Sequence, residues 1–378
     1  MAGDGAIDLL NVEEAIAEGV RAPDLYLSPE YARAVEVSDG AEWEVARCRF
    51  SASGCSCYYV YLKRPVPGGE GTRRDLISPY GYCGPWGDGD PTAEHWLRFR
   101  ELFVEMCVGR GYVAEFIRFS PFLLEQQRLF REQSPDVTAW KHQTTVAVDL
   151  TGGVDAYLKK ARRSYRKTFQ KALKLGYTSS VVPCAEADLS DFKRLYNTTM
   201  TRNCARDYYF FSDGYYEQLV AGLPRDGCLL VQVAKEGAAP AASGIYFVWD
   251  DKIHYHLGAS ETEFLGDGVN SLMHHSAAVY GVEHGLKLFH LGGGLKDNDA
   301  LHQFKSGIGD MQMEWWLGKS VLNPTLYEQL VRERAEELGC APEELTASGF
   351  FPAYRASPPS PAPAPAPTPE STAEDAKT

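Results

Sequence analysis

Residues 228–257 read CLLVQVAKEGAAPAASGIYFVWDDKIHYHL and contain three strand-like runs. The first two runs, 228–235 and 241–249, are rich in β-branched and aromatic residues. The dipeptide at 250–251 predicts a turn into the third run, 252–257. Consecutive strands joined by short connections are typical of an antiparallel meander. The sequence therefore predicts that this region forms the centre of a sheet.

Helix-forming segments lie on both sides of this meander. Their apolar residues recur at intervals of three and four, as on a helix with one buried face. The predicted helices cover 154–175, 188–203, 213–221 and 269–284, and further strands are predicted at 179–183 and 286–291. This order lacks repeated βαβ units. It predicts an α+β fold with mixed sheets rather than a doubly wound fold.

A chain of 378 residues is long enough for two domains. The first predicted domain, 8–150, contains strand-like runs at 58–62 and 111–119 and a helical segment at 93–109. The second, 151–350, contains the meander. Pro and Ala alternate in the last segment, 356–378, so we predict a disordered tail there.

Composition and charge limit the classes of function. The nine cysteines show no paired CxxC spacing, which favours a reducing compartment over a disulfide framework. We find no secretory leader and no long apolar stretch, and so expect a cytoplasmic protein without a membrane span. The net charge of −13 argues against a general nucleic-acid binder, because the protein as a whole repels phosphate. Any RNA contact must come from a local basic patch.

One such patch lies at residues 158–175, which read LKKARRSYRKTFQKALKL. No acidic residue interrupts its basic residues, which are Lys159, Lys160, Arg162, Arg163, Arg166, Lys167, Lys171 and Lys174. A buried stripe is predicted along Leu158, Ala161, Tyr165, Phe169 and Ala172. The positive face predicts a site for a polyanion, either an RNA backbone or a nucleotide diphosphate group. The alternative is a solvated helix that acids from elsewhere in the chain neutralise.

Several motifs together resemble the FemABX-type transferases of the GNAT superfamily. The segments that carry the resemblance are DLISPYGYCGP at 75–85, KKARRSYRKTFQKALKLGY at 159–177, FKRLYNTTMTRNCARDYYFFSDGYYEQL at 192–219, DGVNSLMHHSAAVYGVEHG at 267–285 and FHLGGGLKDNDALHQFKSGIG at 289–309. The resemblance extends over most of residues 24–320. The sequence lacks the long coiled-coil arm of some peptidoglycan-modifying members, and it does not match the residues that would hold their UDP-sugar pentapeptide acceptor.

The resemblance implies two GNAT-like domains with mixed, mainly antiparallel sheets. It also implies transfer of an amino acid from aminoacyl-tRNA to an amine, forming an amide bond in peptidoglycan-precursor or peptide-like metabolite biosynthesis. Aminoacyl-tRNA would be a co-substrate, a small amine or peptide-like molecule the acceptor, and no cofactor is expected. Lys159, Arg163, Arg166 and Lys167 would then bind the tRNA acceptor stem.

The resemblance also assigns two catalytic candidates. Lys305 matches the lysine of the family's Phe-Lys motif and would stabilise the tetrahedral intermediate; the alternative is an ordinary surface lysine. Arg202 matches the arginine after the T-x-x-R stretch and would clamp a phosphate or carboxylate; the alternative is a structural ion pair.

Four further residues are candidates for substrate binding. Tyr80 and Tyr82 lie in an aromatic turn segment that would line an acceptor pocket, or else pack as an ordinary loop. Asn270 begins a predicted helix and is either a polar site residue or its N-cap. His256 is a candidate general base, although a partnered structural histidine is the more common case. No motif supplies a full set of metal ligands, so no metal is predicted.

Two other functions stay open. An acyl-CoA-dependent N-acyltransferase normally cradles pyrophosphate in a Gly-rich loop before a helix. The nearest segment, 264–268, lacks the required Gln or Arg and carries Asp267, which would repel pyrophosphate. The third possibility is a non-catalytic protein that binds RNA or a peptidoglycan precursor.

Overall fold

The computed structural model describes residues 5–67 and 73–357. The chain divides into two compact units, Met1–Pro324 and Thr325–Thr378. Residues 358–378, which make up nearly all of the predicted tail, lie outside the described residues. The predicted disorder of that tail therefore stays a prediction.

The first unit is built on a 13-stranded sheet with helices packed against it. Its strands are β1 Ile7–Leu10, β2 Glu42–Phe50, β3 Cys55–Pro65, β4 Arg74–Ile77, β5 Trp86–Asp88, β6 Tyr112–Arg118, β7 Thr138–Asp149, β8 Tyr177–Pro183, β9 Cys228–Lys235, β10 Ala242–Trp249, β11 Lys252–Ser260, β12 Leu288–Gly292 and β13 Met311–Val321. Its helices are α1 Val12–Ala17, α2 Pro29–Asp39, α3 Ala93–Gly109, α4 Leu124–Glu132, α5 Gly153–Lys160, α6 Arg163–Lys174, α7 Ser190–Arg202, α8 Asp213–Gly222, α9 Val269–Glu283 and α10 Ala300–Lys305.

The strands follow the order β1-β2-β3-β4-β6-β13-β7-β12-β11-β10-β9-β8, and β5 pairs with β3. Most neighbours are antiparallel, whereas β4–β6 and β11–β12 are parallel. The predicted α+β class with a mixed, mainly antiparallel sheet is confirmed. The predicted meander is also present, because β10 pairs antiparallel with both β9 and β11.

The two halves of the first unit repeat one order of elements. Apart from the short strand β5, the first half runs β2-β3-β4-α3-β6-α4-β7, and the second runs β9-β10-β11-α9-β12-α10-β13. Each half contributes its last strand to the other, since β7 pairs with β12 and β13 pairs with β6. The predicted boundary between residues 150 and 151 falls just after β7 and stays a prediction.

Buried aromatic side chains fill the space between sheet and helices. One cluster joins α2, α7 and α8 to the sheet, a second lies under α5, α6 and α9, and a third lies under α3. Their largest fully buried members include Tyr31, Tyr215, Tyr157, Tyr246, Trp96 and Phe103. Burial of such large side chains is the main favourable contribution to folding of this unit.

The prediction of one continuous helix over 154–175 was wrong. The chain forms two helices, α5 and α6, because Ala161 adopts an extended conformation with φ −63° and ψ 146°. The Arg162 amide then donates a hydrogen bond to the Gly307 carbonyl oxygen at 2.8 Å instead of continuing α5. The Arg166 guanidinium donates to the Leu158 carbonyl oxygen at 3.2 Å, which satisfies an acceptor that the break leaves open.

The buried stripe predicted for this region is largely confirmed. Ala161, Tyr165, Phe169 and Ala172 are buried. Leu158 is only half-buried, whereas the neighbouring Tyr157 is buried in the core.

The second unit contains α11 Pro324–Leu338, whose first residue closes the first unit, and α12 Pro342–Ala347. The Tyr327 ring stacks on Phe351 with centroids 5.8 Å apart, and its hydroxyl accepts a hydrogen bond from the Ala353 amide at 3.0 Å. Across the described parts of both units, none of the helices combines the length and hydropathy needed to cross a lipid bilayer.

Candidate active site

The parallel pair β11–β12 is short and leaves an opening in the sheet. Pairing runs only from Lys252↔Leu288 to His254↔His290. Beyond these residues, β11 continues along β10, while Gly292 of β12 pairs with Val146 of β7. We call the gap between the diverging strands the second-half opening. Ligands of sheets with parallel strands commonly bind at such carboxyl ends.

Lys305 is buried beside this opening. It is the last residue of α10 and is only 5% exposed. Its Nζ donates a hydrogen bond to the Gly293 carbonyl oxygen at 2.6 Å and lies 5.4 Å from the centroid of the Tyr255 ring. Burial lowers the pKa of Lys305 to about 7, although the charge of Asp299 opposes this shift. Because its side chain is buried, Lys305 is not the ordinary surface lysine of the alternative interpretation. Among the residues that the structure describes, no carboxylate lies within ion-pairing distance of it.

The loop before α10 is fixed by Asp299. Its carboxylate accepts hydrogen bonds from the amides of Leu295, Lys296 and His302, at 2.6, 3.0 and 2.7 Å. A Cβ on Gly294 would lie 2.1 Å from the same carboxylate, so close packing requires glycine at this position. This network fixes the start of α10 and thereby the position of Lys305.

Tyr82 reaches the second-half opening from the first half of the chain. Its hydroxyl oxygen lies 2.9 Å, and Lys305 Nζ 3.5 Å, from the position that a Cβ on Gly292 would occupy. Burial raises the pKa of this tyrosine, and the nearby Gly293 amide opposes the shift. The Tyr82 ring also packs edge-on against His290, with centroids 4.7 Å apart. A phenol and an ammonium group thus converge on one backbone turn.

Several buried polar atoms around this turn have no hydrogen-bond partner among the described residues. They are Gln143 Oε1, Trp315 Nε1 and both ring nitrogens of His290. Gln143 lies against Gly293, and Trp315 packs on Tyr82 with centroids 5.3 Å apart. Buried polar groups are rarely left unpaired. Their concentration here is the pattern expected of a site that pairs with a polar ligand.

A buried histidine–carboxylate contact lies next to His290. His254 Nε2 is 3.1 Å from Asp24 Oδ2, and both side chains are fully buried. Phe122 packs against His254 and His290, with centroid distances of 5.3 and 4.9 Å. Sequence reasoning missed this pair because Asp24 and His254 come from different halves and from no shared motif.

His256 is held between two tyrosine hydroxyls. Tyr26 Oη lies 3.1 Å from its Nδ1, and Tyr215 Oη lies 2.6 Å from its Nε2. Burial lowers the pKa of His256 to about 3, so the ring is neutral at physiological pH. With both nitrogens engaged, this histidine is better placed to position neighbouring side chains than to accept a proton.

Tyr80 lies in an aromatic group that extends to the surface. Its ring is 5.9 Å from His256 and 6.0 Å from Tyr208, which is 39% exposed. Phe211 and Tyr209 complete the group. The structure therefore brings Tyr80, Tyr82 and His256 into one aromatic region, in which Tyr26 contacts both Tyr82 and His256.

Arg202 and Asn270 meet at the end of β11. The Arg202 guanidinium donates to the Ser260 carbonyl oxygen at 3.1 Å and to Thr262 Oγ1 at 2.7 Å. The Asn270 amide donates to Ser260 Oγ at 3.2 Å. Arg202 therefore bonds neutral oxygens in this structure. Asn270 is not the N-cap of α9, because Gly268 occupies that position.

The basic helices are neutralised only in part. Lys160 pairs with Asp149, and Lys171 pairs with Asp267. A second group of cationic side chains is exposed and makes neither an ion pair nor a hydrogen bond within residues 5–67 and 73–357, and it consists of Lys159, Arg163, Lys167 and Lys174. The last three share one face of α6 because they are spaced by four and seven residues. We call these four residues the free basic face.

The loop before α9 packs against α6 and the start of β8. Lys171 Nζ donates to the Gly266 carbonyl oxygen at 2.6 Å, and the Tyr177 hydroxyl donates to Asp267 at 2.9 Å. A Cβ on Gly268 would lie 2.2 Å from the Thr168 carbonyl oxygen. The loop that would cradle a pyrophosphate in an acyl-CoA enzyme is therefore covered by protein.

Comparison with known proteins agrees with this geometry. Residues 159–306 match the family model described as an acetyltransferase (GNAT) domain. The matched segment begins at the end of α5 and ends just after Lys305, so it contains α6 and the buried lysine. The expected acyltransferase class agrees with this match. No curated protein sequence matches the chain.

Solved structures extend the similarity to most of the chain. The crystal structure of FemX superposes with a TM-score of 0.62 over 85% of this chain and 99% of FemX, at 15% identity. The chain shares the FemX fold. The predicted resemblance to the FemABX-like fold is thereby confirmed.

Two further structures show the same fold at a lower score. One is the C-terminal domain of a putative lysylphosphatidylglycerol synthetase from Agrobacterium fabrum, with a TM-score of 0.53, 18% identity and coverage of 83% of this chain and 92% of that one. The other is L-PGS from Bacillus licheniformis, with a TM-score of 0.51, 14% identity and coverage of 79% and 93%. At these identities the likeness is one of fold.

Proposed function

We propose that this chain is an acyltransferase that moves the aminoacyl group of an aminoacyl-tRNA to an amine and forms an amide bond. The observation that carries the proposal is the position of the free basic face relative to Lys305. Helix α6 starts against Gly307, where the Arg162 amide bonds the Gly307 carbonyl oxygen at 2.8 Å. Gly307 is two residues beyond Lys305. Exposed cations thus begin beside the buried lysine.

The charge of the whole protein makes this arrangement informative. The net charge of −13 repels nucleic acid in general, and three of the seven basic side chains of α5 and α6, those of Lys160, Arg166 and Lys171, have a partner. Four cations have no partner among the described residues, and three of them share one face of α6. Duplex RNA is recognised mainly through its backbone and shape, which a fixed row of cations suits.

The buried site suits the chemistry of aminoacyl transfer. Attack of an amine on an ester carbonyl creates an oxyanion, and the protonated Lys305 would stabilise it from a water-poor position. No covalent enzyme intermediate is needed, because the ester is already activated for attack by a positioned neutral amine. The resemblance to FemABX-type transferases and the shared FemX fold support the same donor class.

Acyl-CoA is the competing donor, as the GNAT family match suggests. Two contacts weigh against it. The carbonyl of Thr168 occupies the space in front of Gly268, and Asp267 adds a negative charge where a pyrophosphate would bind. These contacts favour a donor that binds along α6 rather than at the start of α9.

The test is retention of a pool of charged tRNAs on filters, with and without excess acetyl-CoA, over a range of salt concentrations. The variant Arg163→Ala/Lys167→Ala/Lys174→Ala removes three cations of the free basic face. Its matched control, Arg98→Ala/Arg128→Ala/Arg332→Ala, removes three exposed arginines that already pair with acids. Both variants change the net charge equally.

We expect salt-sensitive retention that acetyl-CoA does not compete. The slope of log affinity against log salt should fall by about 2 to 3 in the first variant and change little in the control. If both variants lost the same amount of salt-dependent tRNA affinity, the effect would come from net charge alone. Competition by acetyl-CoA, or saturable acetyl-CoA binding without tRNA retention, would overturn the proposal.

A further inference from the structure

The segment that carries Tyr82 is held rigidly by the first half of the chain. The Ser78 amide donates to the Phe116 carbonyl oxygen, and the Cys83 amide donates to the Arg118 carbonyl oxygen, each at 3.0 Å. Arg118 also donates to Ser78, through its amide to Oγ and through its guanidinium to the carbonyl oxygen. With both ends anchored on β6, the segment places Tyr82 at a defined point above Gly292.

The Tyr82 hydroxyl has a proton to give. Its oxygen faces the backbone of the turn at Gly292 and Gly293, where the Gly293 amide favours the ionised phenol, so that amide does not take up the phenolic hydrogen. Among the described residues we find no acceptor for this hydrogen. Lys305 Nζ is bound to the carbonyl oxygen of the same Gly293. The phenol and the ammonium group thus both lie against the turn at Gly292 and Gly293.

Resting on the proposed function, we propose that Tyr82 is a catalytic residue that protonates the leaving ribose oxygen of the aminoacyl-tRNA. The acceptor amine attacks the ester carbonyl, and a C–N bond forms while the carbonyl electron pair moves to oxygen. The intermediate then collapses and the C–O bond to the ribose breaks. The ribose oxygen takes the phenolic proton, and Tyr82 recovers a proton from the nitrogen that has become the amide. The products are an amide and a tRNA with a free hydroxyl.

The neighbouring groups are less suited to this step. Lys305 is bonded to a carbonyl oxygen and would face the oxyanion. His290 packs edge-on against the Tyr82 ring, and burial together with the nearby His254 and Lys305 lowers its pKa, which disfavours the imidazolium form that would donate a proton. Tyr82 stays protonated over the physiological range because burial raises its pKa.

The experiment measures single-turnover transfer from charged tRNA to hydroxylamine, used as a small amine probe, over the uncatalysed rate. Tyr82→Phe should slow transfer by about 10²-fold, the lower end expected for loss of a general acid. Retention of charged tRNA on filters should be unchanged, since no charge is lost. Tyr216→Phe is the control, because it removes another buried phenol whose hydroxyl has no partner among the described residues.

A second variant separates proton donation from packing. Tyr82→3,5-difluorotyrosine keeps the ring but lowers the pKa of the phenol. A proton donor must be protonated, so the rate should fall at a lower pH than in the wild type, while Tyr216→3,5-difluorotyrosine should leave the profile unchanged. An unshifted profile, or a Tyr82→Phe rate equal to that of the wild type, would overturn the role of Tyr82. If the wild-type protein itself accelerates no transfer from charged tRNA, the proposed function fails instead.

Discussion

The two halves of the first unit each contain one parallel strand pair, but they use the end of that pair differently. In the first half, β4 and β6 separate after Ile77↔Phe116, and the gap is closed by the chain itself. The Cys83↔Phe119 bridge spans it. The buried amide of Gln127 accepts from the Ser120 amide and donates to two carbonyl oxygens. In the second half, the gap between β11 and β12 is lined by Lys305, Tyr82 and polar atoms without a hydrogen-bond partner among the described residues.

The contrast shows how one topology supplies a scaffold and a site. In the first-half opening, every polar group of Gln127 is paired, which stabilises the fold. In the second-half opening, a buried ammonium group and unpaired polar atoms are a cost to stability that a ligand would offset. The two openings are connected, because the segment that closes the first opening also places Tyr82 at the second.

The largest expected effect is on transfer, from Lys305→Met. Loss of the cation should lower the single-turnover rate by about 10² to 10³-fold, as for removal of an oxyanion-hole donor. The variant should remain folded, because it removes a buried charge. Circular dichroism and tRNA retention are the controls. A folded variant with wild-type transfer would remove Lys305 from the mechanism.

Gln127→Leu tests the first-half opening. It strips partners from the Ser120 amide and from the carbonyl oxygens of Cys83 and Pro85, and should lower the free energy of unfolding by about 3 kcal/mol. Urea unfolding measures this loss. Transfer by the folded fraction should be nearly unchanged. Lost transfer at full stability would contradict the division between scaffold and site.

Gly292→Ala perturbs the turn that Tyr82 and Lys305 share. The residue has φ +74°, and its new Cβ would lie 2.9 Å from the Tyr82 hydroxyl. Gly285→Ala is a matched control with φ +71° and nothing within 4 Å of the new Cβ. Both should lose about 1 kcal/mol of stability from backbone strain. Only Gly292→Ala should also lower transfer, by about tenfold for a displaced catalytic pair.

The smallest effect is a dependence of stability on pH. The pKa of Lys305 is about 7 in the folded state and about 10.4 in an unfolded chain. Between these two pKa values the unfolded state binds more protons, so this lysine makes the free energy of unfolding rise with pH. The full destabilisation from burying the protonated lysine is present below pH 7. Lys305→Met should therefore raise Tm by roughly 2 °C or more at pH 6.5. That advantage should shrink by pH 9.5, and a constant difference would contradict a depressed pKa.

Much of the fold could be predicted from local pattern. The helix over 93–109 and the strand over 228–235 have the predicted bounds, because their periodicity and flanking residues are unambiguous. The single helix over 154–175 was wrong, since the break at Ala161 depends on a distant carbonyl group at Gly307. Sequence could not show that contact.

The site was predictable only where a motif named it. Lys305 was selected by resemblance, but its burial and its depressed pKa depend on packing against Tyr255 and Gly293. Gln143 was missed because it lies in a strand with no distinctive motif, and His290 was not selected although it lies in the motif at 289–309. Strand exchange between the halves brings Gln143 of β7 to this opening, and no local signal encodes it.

The most direct test of the account is transfer of radiolabelled amino acids from a pool of charged tRNAs to the small-molecule fraction of a cell extract. Amide-linked label resists mild base, whereas the tRNA ester does not, so base-stable label measures the product. We expect base-stable label with the wild-type protein and at least about 10²-fold less of it with Lys305→Met. Base-stable label formed equally by both proteins, or formed only when labelled acyl-CoA replaces charged tRNA, would contradict it.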